Sequence, residues 1–153
     1  MQISDILKPE AVKTLGACTS KKRLFHDLGD IAVAAYGLES GVVIDALIDR
    51  ESLGPTGVGH GIALPHARLE TLDSVCGMFL RIEKPINFEA VDRQPVDLVF
   101  ALLAPESAGV DHLKALALVS RTMRDADMQA KLRANADPAT LHTILTETQA
   151  QAA

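Results

Sequence analysis

VDLVFALL, the stretch from Val96 to Leu103, is apolar at every position except Asp97. A strand with one wet face alternates apolar and polar residues, so a run this continuous reads as a central strand covered on both faces. Pro105 closes it, because proline cannot donate to a sheet ladder. Upstream, Val75 to Ile82 (VCGMFLRI) reads as a second strand. Between them, Glu83 to Gln94 carries Pro85, Asn87 and Asp92 and reads as a connection with room for a short edge strand.

Moving outward, the apolar spacing becomes helical. Leu24, Phe25, Leu28, Ile31, Ala32 and Ala35 recur on one face, with Ser20 placed to cap the start and Gly37 to stop the helix near Tyr36. Ser40 is expected to cap a second helix, with Val43, Ala46 and Leu47 on one side and Arg50 near its end. Gly61 to Leu64 reads as a short strand. Beyond Pro105, Asp111 is expected to cap a helix from His112 to about Met123, with Leu113, Leu116 and Ala117 inward. A further helix is expected over Asp127 to Arg133. Asp137-Pro138 opens the last one, with proline at its first position and Leu141, Ile144 and Leu145 packed inward. Helices, strands, then helices predict a single α/β domain over 1–153 with a mixed β-sheet and helices on both faces. The Ala/Gln/Thr-rich tail after about Glu147 is expected to fray.

Hydrophobic residues make up 48% of the 153-residue chain, enough for one substantial core. There is no Trp and one Tyr, so the core is aliphatic and the platforms that stack single-stranded bases are missing. The formal charge is −5 with both signs interspersed, which argues against nucleic acid as a partner. Cys18 and Cys76 are far apart and form no CxxC pair. They read as structural thiols in a reducing compartment, not as a disulfide framework or a metal site. MQISDILKPE lacks the form of a signal peptide, and no apolar stretch is long enough to span a bilayer. A cytoplasmic chain with no membrane insertion is expected. No GxxxxGK[ST] motif is present, so direct use of a nucleoside triphosphate is not expected.

The chemistry concentrates in LGPTGVGHGIALPH, Leu53 to His66. Glycines at 54, 57, 59 and 61 allow close backbone approach. Pro65 fixes its own φ and pushes Leu64 toward an extended conformation. His66 is thereby held beside an open loop, as a phosphoryl-accepting or metal-binding imidazole requires; a capped strand-end histidine is the plain alternative. His112 falls in a helix first turn, where N–H groups and the helix dipole favour anions, or is a surface residue. His60, between two glycines, is a ligand contact or simply exposed. His26 and His142 read as solvated surface histidines. Arg50, before Glu51, is either an anion-binding fork or a surface ion pair at a helix end. His66 and His112 both fall near the strand ends where α/β sheets bind ligands, although spacing alone does not bring them together. A zinc hydrolase on His60, His66 and His112 is disfavoured, because no carboxylate stands in a recognised ligand pattern.

GIALPH, with Arg50-Glu51-Ser52-Leu53-Gly54 before it and QPVDLVFALLAP and DHL after it, resembles the IIA domains of the mannitol/fructose class of the phosphoenolpyruvate-dependent phosphotransferase system. The resemblance runs from about Ile3 to Leu145 and is strongest to the nitrogen-related regulatory branch. It implies that His66 is the phosphorylated histidine and that Arg50 and His112 are its active-site partners. It further implies a histidine phosphocarrier protein as donor, itself charged by an enzyme I that uses phosphoenolpyruvate, and regulated target proteins as readers in nitrogen, potassium or stress control. Amides of Gly57, Gly59 and Gly61 could add an anion-binding nest. No metal or other cofactor is implied. Two other roles stay open: a sugar-specific IIA that passes the group to a IIB component, and a docking-only regulatory module. Pro55, His60 and Lys114 depart from the usual wording of the family but leave the three matching positions intact.

Overall fold

A computed structural model describes the backbone of residues 1–152 and the side chains of residues 1–147. In chain order its elements are α1 (Ile3–Ile6), a 3₁₀ turn (Pro9–Ala11), β1 (Val12–Leu15), α2 (Lys21–Tyr36), α3 (Ser40–Ser52), β2 (Gly57–Gly59), β3 (Ile62–Ala63), β4 (His66–Leu69), β5 (Cys76–Ile86), β6 (Val96–Pro105), α4 (Val110–Arg124), α5 (Ala126–Arg133) and α6 (Pro138–Ala152). The expected fraying after Glu147 concerns side chains that lie outside the described residues. Among the described residues, no helix is long and apolar enough to cross a membrane.

The apolar run is the centre of the sheet. β6 pairs antiparallel with β5 on one side and parallel with β3 and β4 on the other. β1 adds parallel to β5 and β2 antiparallel to β3, so the sheet is mixed. Leu98, Phe100 and Leu102 point to one face of β6 and Val99, Ala101 and Leu103 to the other. All six are buried, so both faces are covered. One apolar cluster runs from Ile3 through the strands to Leu145.

α2 forms as its spacing predicts. Ser20 Oγ accepts the Arg23 amide at 3.1 Å, and Gly37 closes the helix in the left-handed region at φ 66°. Two caps differ from expectation. Ser40 is the first residue of α3, and Glu39 precedes it without a side-chain cap bond. Asp111 lies inside the first turn of α4, and Gly109 occupies the cap position. The inward face of α4 is also rotated from the expected one: His112, Ala115, Leu118, Val119, Thr122 and Met123 are buried, whereas Leu113 is exposed. An exposed leucine and a buried histidine on one helix reverse the hydropathy rule that the expectation rested on. β5 runs on through Pro85 to Ile86, beyond the expected end at Ile82, after a register shift against β6. His142 is not simply solvated, since its Nε2 lies 3.0 Å from the Leu7 carbonyl oxygen and ties α6 to the N-terminal segment.

Candidate functional site

His66 owes its setting to an interrupted strand. Residues 62–63 and 66–69 both run parallel to β6, and the ladder breaks at Leu64-Pro65. The Leu64 amide turns aside to donate to Thr56 O (2.9 Å), while Pro65 O accepts from the Leu102 amide (2.9 Å). Proline has no N–H to add to the ladder, and the Leu64 carbonyl is left facing the His66 ring. Nδ1 of His66 lies 2.9 Å from that oxygen. A carbonyl only accepts, so Nδ1 carries the proton and Nε2 keeps its lone pair. The ring is half-buried. Burial is the main cause that holds its pKa below the ordinary histidine value, and the Arg50 charge adds to it; the Leu64 bond and Glu51 pull the other way.

His112 enters from the first turn of α4 and is 6% exposed. Its ring meets that of His66 edge to face, with centroids 5.8 Å apart and planes at 77°. Arg68 Nε donates to His112 Nδ1 at 3.1 Å. Nε2 is buried and meets no hydrogen-bond partner among the described residues. The pKa of His112 is lowered, first by burial and then by the charges of Arg68 and His66.

Arg50, half-buried in the last turn of α3, donates from Nη1 to Gly54 O at 3.2 Å. Two open clefts meet at His66 and Arg50. One, about 360 Å³, is otherwise lined by Thr56, Leu64, Leu113 and Leu116. The other, about 490 Å³, is otherwise lined by Asp49, Leu53, Arg68 and His112. The three residues singled out from the sequence are thus brought together. Leu53 and Leu113, exposed by 83% and 65%, stand on the rims.

The glycines take a different place. Gly57 and Gly59 form β2, paired with Ala63 and Ile62, and line neither cleft. A Cβ on Gly57 would sit 2.7 Å from Ala90 Cβ, and one on Gly61 2.5 Å from Arg133 Nη2. Close packing therefore accounts for Gly57, and Gly61 also needs its left-handed φ of 79°. His60 lies in the hairpin turn with φ 59°, its amide 3.0 Å from Asp92 Oδ2, and it too lines neither cleft. Arg133 locks this turn, pairing with Asp97 through two bonds of 2.9 Å and reaching the His60 carbonyl at 2.6 Å. Cys76 is buried, which pushes its thiol up to about 12, and Cys18 is half-buried with its pKa also raised by burial. Both thiols are therefore held in the unreactive form.

Sequence reasoning missed two contributors. Arg68 is two residues past His66 on a strand, hence on the same face, and that offset was its only signal. Glu51 turns inward. Its carboxylate accepts the Thr56 amide (2.9 Å) and hydroxyl (2.5 Å) and pairs with Lys21 Nζ at 2.7 Å. It sets where the loop starts, and with it Thr56, which positions Leu64.

Residues 5–148 match the family model described as phosphoenolpyruvate-dependent sugar phosphotransferase system, EIIA 2. The chain is 45% identical over its full length, and the full length of the relative, to the nitrogen regulatory protein of Bradyrhizobium diazoefficiens. It is similar to the crystal structure of nitrogen regulatory protein IIA-Ntr from Neisseria meningitidis, with a TM-score of 0.86 and 34% identity over 94% of this chain and 99% of that one. The crystal structure of IIA mannitol from Escherichia coli shares the fold, with a TM-score of 0.74 at 22% identity over 91% of this chain and 98% of that one.

Proposed function

The chain belongs to the EIIA 2 family of the phosphoenolpyruvate-dependent sugar phosphotransferase system, and from that premise we propose that it is a phosphoryl-accepting regulator whose His66 Nε2 takes the group from a histidine phosphocarrier protein. The observation that carries this reading is the arrangement at His66. One ring nitrogen is tied to the Leu64 carbonyl, and the other is open in a cleft that Arg50 lines. An imidazole so held attacks phosphorus without first losing a proton. The His66 Nε2–P bond forms, the carrier's N–P bond breaks, and the Nδ1 proton stays on the ring, hydrogen-bonded to Leu64 O. A pKa below the ordinary value keeps the ring neutral, and so nucleophilic, at neutral pH.

Phosphoryl transfer passes through a loose transition state, so the protein contributes positioning and charge. Arg50 supplies a planar fork for phosphoryl oxygens. The exposed leucines at the cleft rims suit a transient partner that docks, transfers and leaves. Full-length similarity to a nitrogen regulatory protein favours a regulatory output over sugar uptake. The group adds about −1.5 to −2 charges to this face, enough for target proteins in the cytoplasm to distinguish the two states.

The test is phosphotransfer followed by intact mass, using phosphoenolpyruvate, enzyme I and a phosphocarrier protein. One acid-labile phosphoryl group, absent in His66→Ala, is expected. No added mass, with a carrier active on another IIA protein, overturns the reading. Rapid loss of the group to a IIB protein moves the function to sugar uptake.

A further inference from the structure

On the reading that His66 carries the phosphoryl group, we infer that Arg68 is a positioning residue: it fixes His112 as the neutral Nε2–H tautomer, so that His112 offers the group an uncharged donor. The argument starts from the 3.1 Å contact between Arg68 Nε and His112 Nδ1. A guanidinium has no acceptor and keeps its protons, so Arg68 is the donor and Nδ1 must present a lone pair. An imidazolium would set N–H against N–H at that distance. The one proton of His112 therefore sits on Nε2, the buried atom with no partner among the described residues. A buried donor left unpaired is costly, and a phosphoryl oxygen on His66, whose ring is in edge-to-face contact, is the acceptor it lacks. Arg68 thus acts through His112, and positive charge in the cleft is left to the two arginines.

Cationic groups around His112 outnumber acidic ones. His66 and Arg68 approach from β4, and Arg50 lines the same cleft from α3. Asp49, also on that cleft, opposes them. Asp111 and Lys114, both exposed on its own helix, offset each other. Burial and the Arg68 charge both hold the His112 pKa down.

Long-range ¹H–¹⁵N NMR of histidine-labelled full-length protein reads the tautomer directly and needs no phosphoryl donor. In the unsubstituted protein, His112 is expected as Nε2–H only. Arg68 is exposed, so substitution there leaves the core intact. Arg68→Ala is expected to give mixed tautomers, to raise the His112 titration midpoint by about one pH unit, and to slow phosphorylation of His66 roughly tenfold. Arg68→Lys, which keeps a charged donor, is expected to restore the low midpoint and part of the rate. A protonated Nδ1 on His112 in the unsubstituted protein, or a tautomer unchanged in Arg68→Ala, overturns the inference. So does a changed tautomer with an unchanged rate. If no variant takes up a phosphoryl group, the relay reading fails, while the tautomer spectra still decide the role of Arg68.

Discussion

Arg50 and Glu51 are neighbours in sequence with different partners. Glu51 accepts from Thr56 and pairs with Lys21 in a largely buried site, so an amide in its place loses the ion pair and one of the two acceptor oxygens. Glu51→Gln is expected to cost about 2–4 kcal/mol in urea unfolding. The Arg50 side chain donates to Gly54 O on an open cleft. Arg50→Ala should leave stability within about 0.5 kcal/mol and slow phosphorylation of His66 by about a hundredfold, with Arg50→Lys recovering only part because the planar fork is lost. The histidines make a prediction about pH. His66 and His112 both have lowered pKa values in the fold, chiefly through burial. Above about pH 6.5 they are neutral in both states and stability is full. Below it the unfolded chain binds protons that the folded chain resists, so stability falls until the folded-state values are passed. Urea midpoints measured from about pH 7.5 down to about pH 5.5 should therefore decline, and less so in the His66→Gln/His112→Gln double variant. An equal decline in both would assign the effect to other groups. The grouping of His66, Arg50 and His112 beside one cleft agrees with what the family resemblance implied, because each stands in a distinctive string of neighbours. Arg68 and Glu51 were not legible in the sequence, because their work depends on which way a side chain turns in three dimensions.

The β2–β3 hairpin shows why the same residue type can mean different things at the scale of an element. Gly37 ends α2 at φ 66°, and a methyl group there would meet nothing within 4 Å, so Gly37→Ala should cost about 1 kcal/mol from backbone strain alone. At Gly57 a methyl would fall 2.7 Å from Ala90 Cβ and 2.9 Å from its Cα. Gly57→Ala is expected to cost about 3 kcal/mol by overpacking and to slow phosphorylation, since Thr56 and Leu64 move with the hairpin. Equal denaturation midpoints for the two variants would refute the packing account. The glycine spacing is legible in sequence as a need for close backbone approach, but not as the identity of what approaches, here Ala90 and Arg133. Long elements were read well for a similar reason. β6 and α2 carry enough apolar positions to fix their period, whereas β1, β2 and β4 have four residues or fewer and show none. α4 was located correctly but rotated, because its outward leucine borders a cleft and its inward histidine bonds Arg68, neither of which hydropathy spacing reveals.

At the scale of the molecule, the core closes without Leu53 and Leu113. The sheet is covered on both faces, and these two side chains remain exposed by 83% and 65% on either side of His66. Exposed leucines scattered singly would need no explanation, but here both border the clefts that hold His66, with Leu116 continuing one of the walls. On the proposed relay, a carrier that brings a phosphoryl group to Nε2 covers this rim, and an apolar contact there is released easily once transfer is done. Leu113→Ser is expected to leave the urea midpoint within about 0.5 kcal/mol of the parent protein, as an exposed position should. The same change should raise KM for the phosphorylated carrier about tenfold, equivalent to about 1.4 kcal/mol of lost docking, with kcat little altered. Val33→Ser, exposed by 47% on α2 and absent from both clefts, is the matched control and should change neither constant. A fall in kcat at constant KM would place Leu113 in the chemistry instead of the docking, and an unchanged ratio of the two constants would remove this rim from the carrier's footprint.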